Sequence, residues 1–123
     1  MGGQTVKLYR VTLPLPPNMA NSRRHWRVKQ RERVEYEDWA FVWMHEARAQ
    51  GPRKPLKRAT IRATLYVYAK MDMDNLVARL KWPVDYLVKA GWLVDDGPDV
   101  LDWTLPSQQT DRKRPRVEIT LEG

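Results

Sequence analysis

Asp72-Met73-Asp74-Asn75-Leu76 sets two carboxylates two positions apart, and Asp95-Asp96 adds a second acidic pair just beyond Gly91. Where the backbone is extended, residues i and i+2 point to the same side, so Asp72 and Asp74 would reach one ion together. Carboxylate oxygens are hard donors that suit Mg²⁺ or Mn²⁺. Zn²⁺ is disfavoured, because the chain has no Cys and only His25 and His45 as imidazoles. Acids crowded together repel one another, and a divalent cation facing a phosphate relieves that repulsion. The competing structural account makes Asp72 a loop residue, Asp74 a helix N-cap and Asp95-Asp96-Gly97-Pro98 an ordinary turn.

These acids sit in a basic chain. Over 123 residues, 22 Lys and Arg outnumber 15 Asp and Glu, for a net charge of +7. Such a balance speaks to partners, with nucleic acid first and an anionic membrane surface second. No basic amphipathic helix with a clean apolar face and no apolar run of spanning length stands out, which argues against a membrane. The start of the chain, Met1-Gly2-Gly3-Gln4-Thr5, carries no signal-peptide core and no myristoylation pattern. Cysteine is absent, so disulfides and thiolate sites are excluded; this is compatible with a cytoplasmic setting. Six Trp and five Tyr against one Phe favour side chains with a flat apolar face and a polar edge, fit for cores or for base stacking.

The length predicts one domain over residues 1–123. Partial alternation predicts a strand over 5–13, stopped by Pro14-Leu15-Pro16-Pro17, and then a loop over 18–30 that carries Arg23, Arg24, Arg27 and Lys29. Helical spacing of Val34, Phe41 and Met44, with Trp39, Ala40, Trp43 and Ala47 nearby, predicts a helix over 31–49 ended by Gly51-Pro52. Trp39, Trp43 and Met44 would form the core or a dimer seam. Strict alternation predicts a strand over 60–69, with Ile61, Ala63, Leu65, Val67 and Ala69 on one face. A helix follows over 75–90, with Leu76, Val77, Leu80, Val84, Leu87 and Val88 as apolar positions and Gly91 as its stop. Pro83 either kinks that helix or starts a second one. Strands are predicted around Leu101–Leu105 and Val117–Leu121, joined by a basic turn over 111–116. The expected architecture is α+β, a small mixed domain in the order β-α-β-α-β-β.

Along these residues the chain resembles the RusA-type Holliday junction resolvases of bacteria and their phages. The likeness rests on Asp72-Met73-Asp74-Asn75-Leu76, then Lys81, Asp85 and Leu87, then Lys89-Ala90-Gly91 and Leu93-Val94-Asp95-Asp96. The opening strand into Leu13-Pro14-Leu15-Pro16-Pro17-Asn18 and the closing Glu118-Ile119-Thr120 also agree. The resemblance implies a homodimeric, Mg²⁺-dependent endonuclease (Mn²⁺ being the alternative ion) that nicks branched DNA in recombination and repair, in a bacterial or phage-encoded cytoplasmic protein. It implies Asp72, Asp74 and Asp96 as metal ligands, with Asp95 as a helper, and water activated by the metal as the nucleophile. Counted back from Gly91 the family lysine is Lys81; counted forward from Asp74 its place holds Ala78, which leaves Arg79 as the other cation for the transition state. Arg23, Arg24, Arg27 and Lys29 would hold the DNA backbone, with Asn75 as a further contact, and Trp26 and Trp82 would stack on opened bases. The substrate alternatives are four-way junctions, forks and flaps. The alternative from another class is a basic DNA-binding module without catalysis.

Overall fold

The computed structural model describes residues 6–17 and 26–123. Arg23, Arg24 and His25 lie outside the described residues, as does the side chain of Trp26. The elements are β1 (Leu8–Pro14), α1 (Trp26–Glu46), β2 (Ala59–Val67), α2 (Met73–Arg79), α3 (Lys81–Lys89), β3 (Leu101–Trp103), β4 (Ser107–Thr110) and β5 (Arg116–Glu122). They form one small α+β domain.

The sheet runs β1-β5-β2, with β3 and β4 sharing the far edge of β2. β5 is antiparallel to both of its neighbours, whereas β3 and β4 run parallel to β2, beside its first and second halves respectively. Alternation places Val11 and Leu13 of β1, Ala59 to Val67 of β2 at every second residue, and Val117, Ile119 and Leu121 of β5 in the core. Tyr36, Ala40, Leu76, Leu80, Val84 and Leu87 complete that core from the helices, so the helices cover one face of the sheet. Thr12, Thr64, Tyr66, Glu118 and Thr120 stay half-buried on the other face.

Several sequence expectations shift. β1 ends on Pro14, which an edge strand tolerates because only one side of it needs donors. α1 begins at Trp26, so Arg27 and Lys29 ride on a helix and not on a loop. Residues 26–30 contain no Gly or Pro and are rich in good helix formers, so nothing stops the helix from reaching back. α1 lies against β1 and buries a narrow stripe, Tyr36 and Ala40 with Met44 beside them. Val34, Trp39 and Phe41 are exposed, at 56%, 66% and 60%, and Trp39 is therefore not a core residue of this chain. Trp43 is half-buried, with the Arg114 guanidinium 5.8 Å from its ring centre.

The helix expected over 75–90 is two helices meeting at Leu80. Pro83 has no N–H for the Arg79 carbonyl, and its ring crowds that carbonyl, which breaks the ladder one turn upstream. The strand expected near 101–105 stops at Trp103, and Ser107–Thr110 forms a separate β4 beyond Pro106. That polar segment has little strand pattern of its own; pairing with β2 makes it a strand. Residues 111–115 do not close a hairpin, since β4 and β5 flank β2 on opposite sides.

Candidate nucleic-acid and metal site

Asp72 is the N-cap of α2, with extended backbone (φ −67°, ψ 155°) and no side-chain capping bond. Asp74 is thus inside the first turn and is not the cap. Its two-residue spacing from Asp72 no longer follows strand alternation, and the extended-chain argument for a shared ion does not hold here. Both carboxylates are exposed. The segment that presents them is pinned by a residue that no local pattern marks. Gln108 of β4 accepts from the Met71 N–H (2.9 Å) and donates to the Met71 carbonyl (2.8 Å). Asn75 follows, half-buried.

Asp96 meets a different partner. It faces Asp85 of α3, whose pKa is raised by burial first and then by a hydrogen bond and repulsion from Asp96. Arg33 of α1 and Lys81 of α3 pull the other way. Asp85 thus shares one locality with one acid and two cations. In the sequence it stands only as one residue of the family likeness, one helical turn after Lys81 and with no ligand role assigned. Asp95 is exposed, and its Oδ2 accepts from the Gly97 N–H at 3.3 Å, as in an ordinary Asx turn. Among the described residues no three His, Asp or Glu side chains form a group that could hold a metal ion. The acids therefore stand as two sets, Asp72 with Asp74 at the head of α2, and Asp96 against Asp85.

Beside the second set lies a cleft of about 310 Å³, walled by Pro16, Pro17, Arg33, Arg79, Lys81 and Trp82. Ala78 also lines it. Arg79 is half-buried, and burial lowers its pKa; its Nε is buried and has no hydrogen-bond partner among the described residues. Arg33 is held by Glu37 at 3.3 Å, and Lys89 Nζ lies 2.8 Å from both Glu37 oxygens. The Trp82 ring leans on Tyr36, 5.9 Å between centres and 46° between planes. The two cations proposed from sequence as alternatives, Arg79 and Lys81, thus line one cleft together, and Arg33 joins them from a helix distant in sequence.

Arg27 is exposed and Lys29 half-buried on the first turns of α1. His45 is exposed and stacks on Phe41 at 6.0 Å. Among the described residues no helix is long and apolar enough to cross a membrane. No family model matches the chain, and no curated protein matches it.

Proposed function

We propose that this protein is a divalent-metal-dependent endonuclease that nicks branched DNA, of the RusA type. The observation that carries the reading is the Asp85–Asp96 carboxyl pair with Lys81 and Arg33 acting on it. Two carboxyl groups in contact and partly desolvated need a proton or a cation between them. Mg²⁺ is commonly held by one or two carboxylates, with waters and substrate phosphate filling the remaining positions. The Asp85–Asp96 donor set fits that pattern. When bound, the metal would supply charge to offset the phosphate and to activate water.

The chain's own residues divide the remaining tasks. Asp85 and Asp96 would hold the cation, with Asp95 next to them. Arg79 and Lys81 would offset the charge that builds on the phosphate during attack. Asp72 and Asp74 stay candidate ligands at the head of α2, presented by the Gln108 clamp. Arg27 and Lys29, with Arg23 and Arg24, would grip the backbone without reading sequence. A two-fold homodimer would set two such sites against a junction of matching symmetry.

A labelled four-way junction incubated with the protein, in Mg²⁺ or in EDTA, tests the reading. Nicking is expected only with Mg²⁺, and Asp96→Asn should abolish it while leaving junction binding intact or tighter. Asp72→Asn tests the first acidic set in the same way. Undiminished cutting by Asp96→Asn would remove the site proposed here. Binding without cutting under every condition would favour the second reading, a DNA-binding module, which Ala78 at the position of the family lysine supports.

A further inference from the structure

We propose that the cleft between Pro16-Pro17, α1 and the α2–α3 junction seats a single unpaired nucleotide, with its phosphate on Arg79 and Lys81 and its base against Trp82. This deepens the reading of a protein that acts on branched DNA, and rests on it only for where the nucleotide comes from.

Three observations carry it. Arg33, Arg79 and Lys81 come from three helices, α1, α2 and α3, and line one small cavity, so an anion entering it meets several positive charges. The Arg79 Nε–H is buried and has no hydrogen-bond partner among the described residues. A guanidinium donor withdrawn from water is costly until an acceptor reaches it, and a phosphate oxygen is the acceptor its planar fork fits best. The same cleft is lined by apolar surface, from the half-buried Trp82 and the two prolines. Trp82 is braced from behind by Tyr36, so its ring is set before a ligand arrives. Anion donors and an indole lining one cavity match a nucleotide better than a bare phosphate.

Size narrows the occupant. About 310 Å³ lies at the lower end of small-ligand sites, and a duplex cannot enter it. A nucleotide freed from pairing at a branch point can. Stacking on an indole accepts every base, so the cleft would select for unpaired structure and not for sequence.

The test uses the ¹⁵N-labelled full chain, titrated separately with deoxyadenosine 5′-monophosphate, deoxyadenosine and inorganic phosphate. The indole N–H signal of Trp82 is assigned by its loss in Trp82→Phe. The monophosphate should move that signal saturably and bind at least about tenfold more tightly than either of the other two probes. Arg79→Gln should weaken the monophosphate by about tenfold or more, the worth of one charge-assisted hydrogen bond. Lys81→Gln reads the same contact should Arg79→Gln fail to fold. Followed through the backbone N–H signals of Arg79 and Lys81, Trp82→Leu should lower the affinity for the monophosphate to that for inorganic phosphate, while Trp82→Phe should keep most of the difference.

Equal binding of monophosphate and inorganic phosphate would overturn the proposal, as would unchanged affinity in Arg79→Gln or no saturable shift. Junction nicking is scored on the same preparations. Cleavage without nucleotide binding retires the cleft and leaves the endonuclease standing. Nucleotide binding without cleavage keeps the cleft and retires the endonuclease.

Discussion

Tyr36 shows what a single side chain contributes here. Its hydroxyl donates to the Pro14 carbonyl at 2.8 Å, which ties α1 to the last residue of β1. Burial, with Tyr86 adding to it, pushes this phenol far above its ordinary range, so it stays neutral and remains a donor. Tyr36→Phe leaves the Pro14 carbonyl without that partner and should cost about 1–2 kcal/mol in urea unfolding. Asp111 illustrates the opposite sign. The Arg116 guanidinium holds its carboxyl below the usual range, and the backbone N–H groups of Arg114 and Lys113 assist. A depressed folded-state pKa means the carboxylate stabilises the fold above its unfolded-state value and loses that contribution as pH falls through the folded-state value. Asp111→Asn should therefore be less stable than the natural chain near neutrality and should approach it in acid. Denaturant midpoints measured across pH check this.

At the scale of elements, the ends of α1 and α3 are a matched pair with different residues. Gly91 has φ 82° and Arg48 has φ 52°. In both, the helix closes with the same two bonds. Trp92 N–H reaches the Leu87 carbonyl and Gly91 N–H that of Val88, as Ala49 reaches Met44 and Arg48 reaches His45. Only the first has the residue that suits the left-handed conformation. Space is open around the position of a Cβ at Gly91, so Gly91→Ala isolates backbone strain and should cost about 1 kcal/mol. Arg48→Gly should do the reverse, adding about 0.5–1 kcal/mol. Thermal or urea melts of the two variants compare them directly. Gly91 marked its helix end in the sequence because glycine advertises this conformation. Arg48 gave no such signal, and the end of α1 was placed too late for that reason.

The whole molecule carries a net charge of +7. Binding to DNA should weaken steeply as salt rises, through release of counterions. An exposed lysine that contacts phosphate carries about one unit of that slope, so Lys113→Gln should flatten a plot of log affinity against log salt by about one if the β4–β5 turn lies on the DNA. Arg116 is set apart from this role: its guanidinium sits 3.6 Å from the Tyr66 ring centre and pairs with Asp111 and Glu118.

What the sequence determined by itself was whatever is written into short-range pattern. Alternation located β2 and β5 and told their buried residues from their exposed ones, except Ala69, which lies past the end of β2 and is exposed. Glycine located the end of α3, proline announced a break in the second helical run, and composition set the positive field. The tertiary structure alone decided which surfaces meet. It set Asp96 against Asp85, brought Arg33 into the cleft of Arg79 and Lys81, and gave Gln108 the task of holding Met71. It also left Trp39 and Phe41 in water. The reason is physical: periodicity records how one segment alternates between inside and outside, while contacts between side chains far apart in the chain depend on how the segments pack, and no local pattern encodes that.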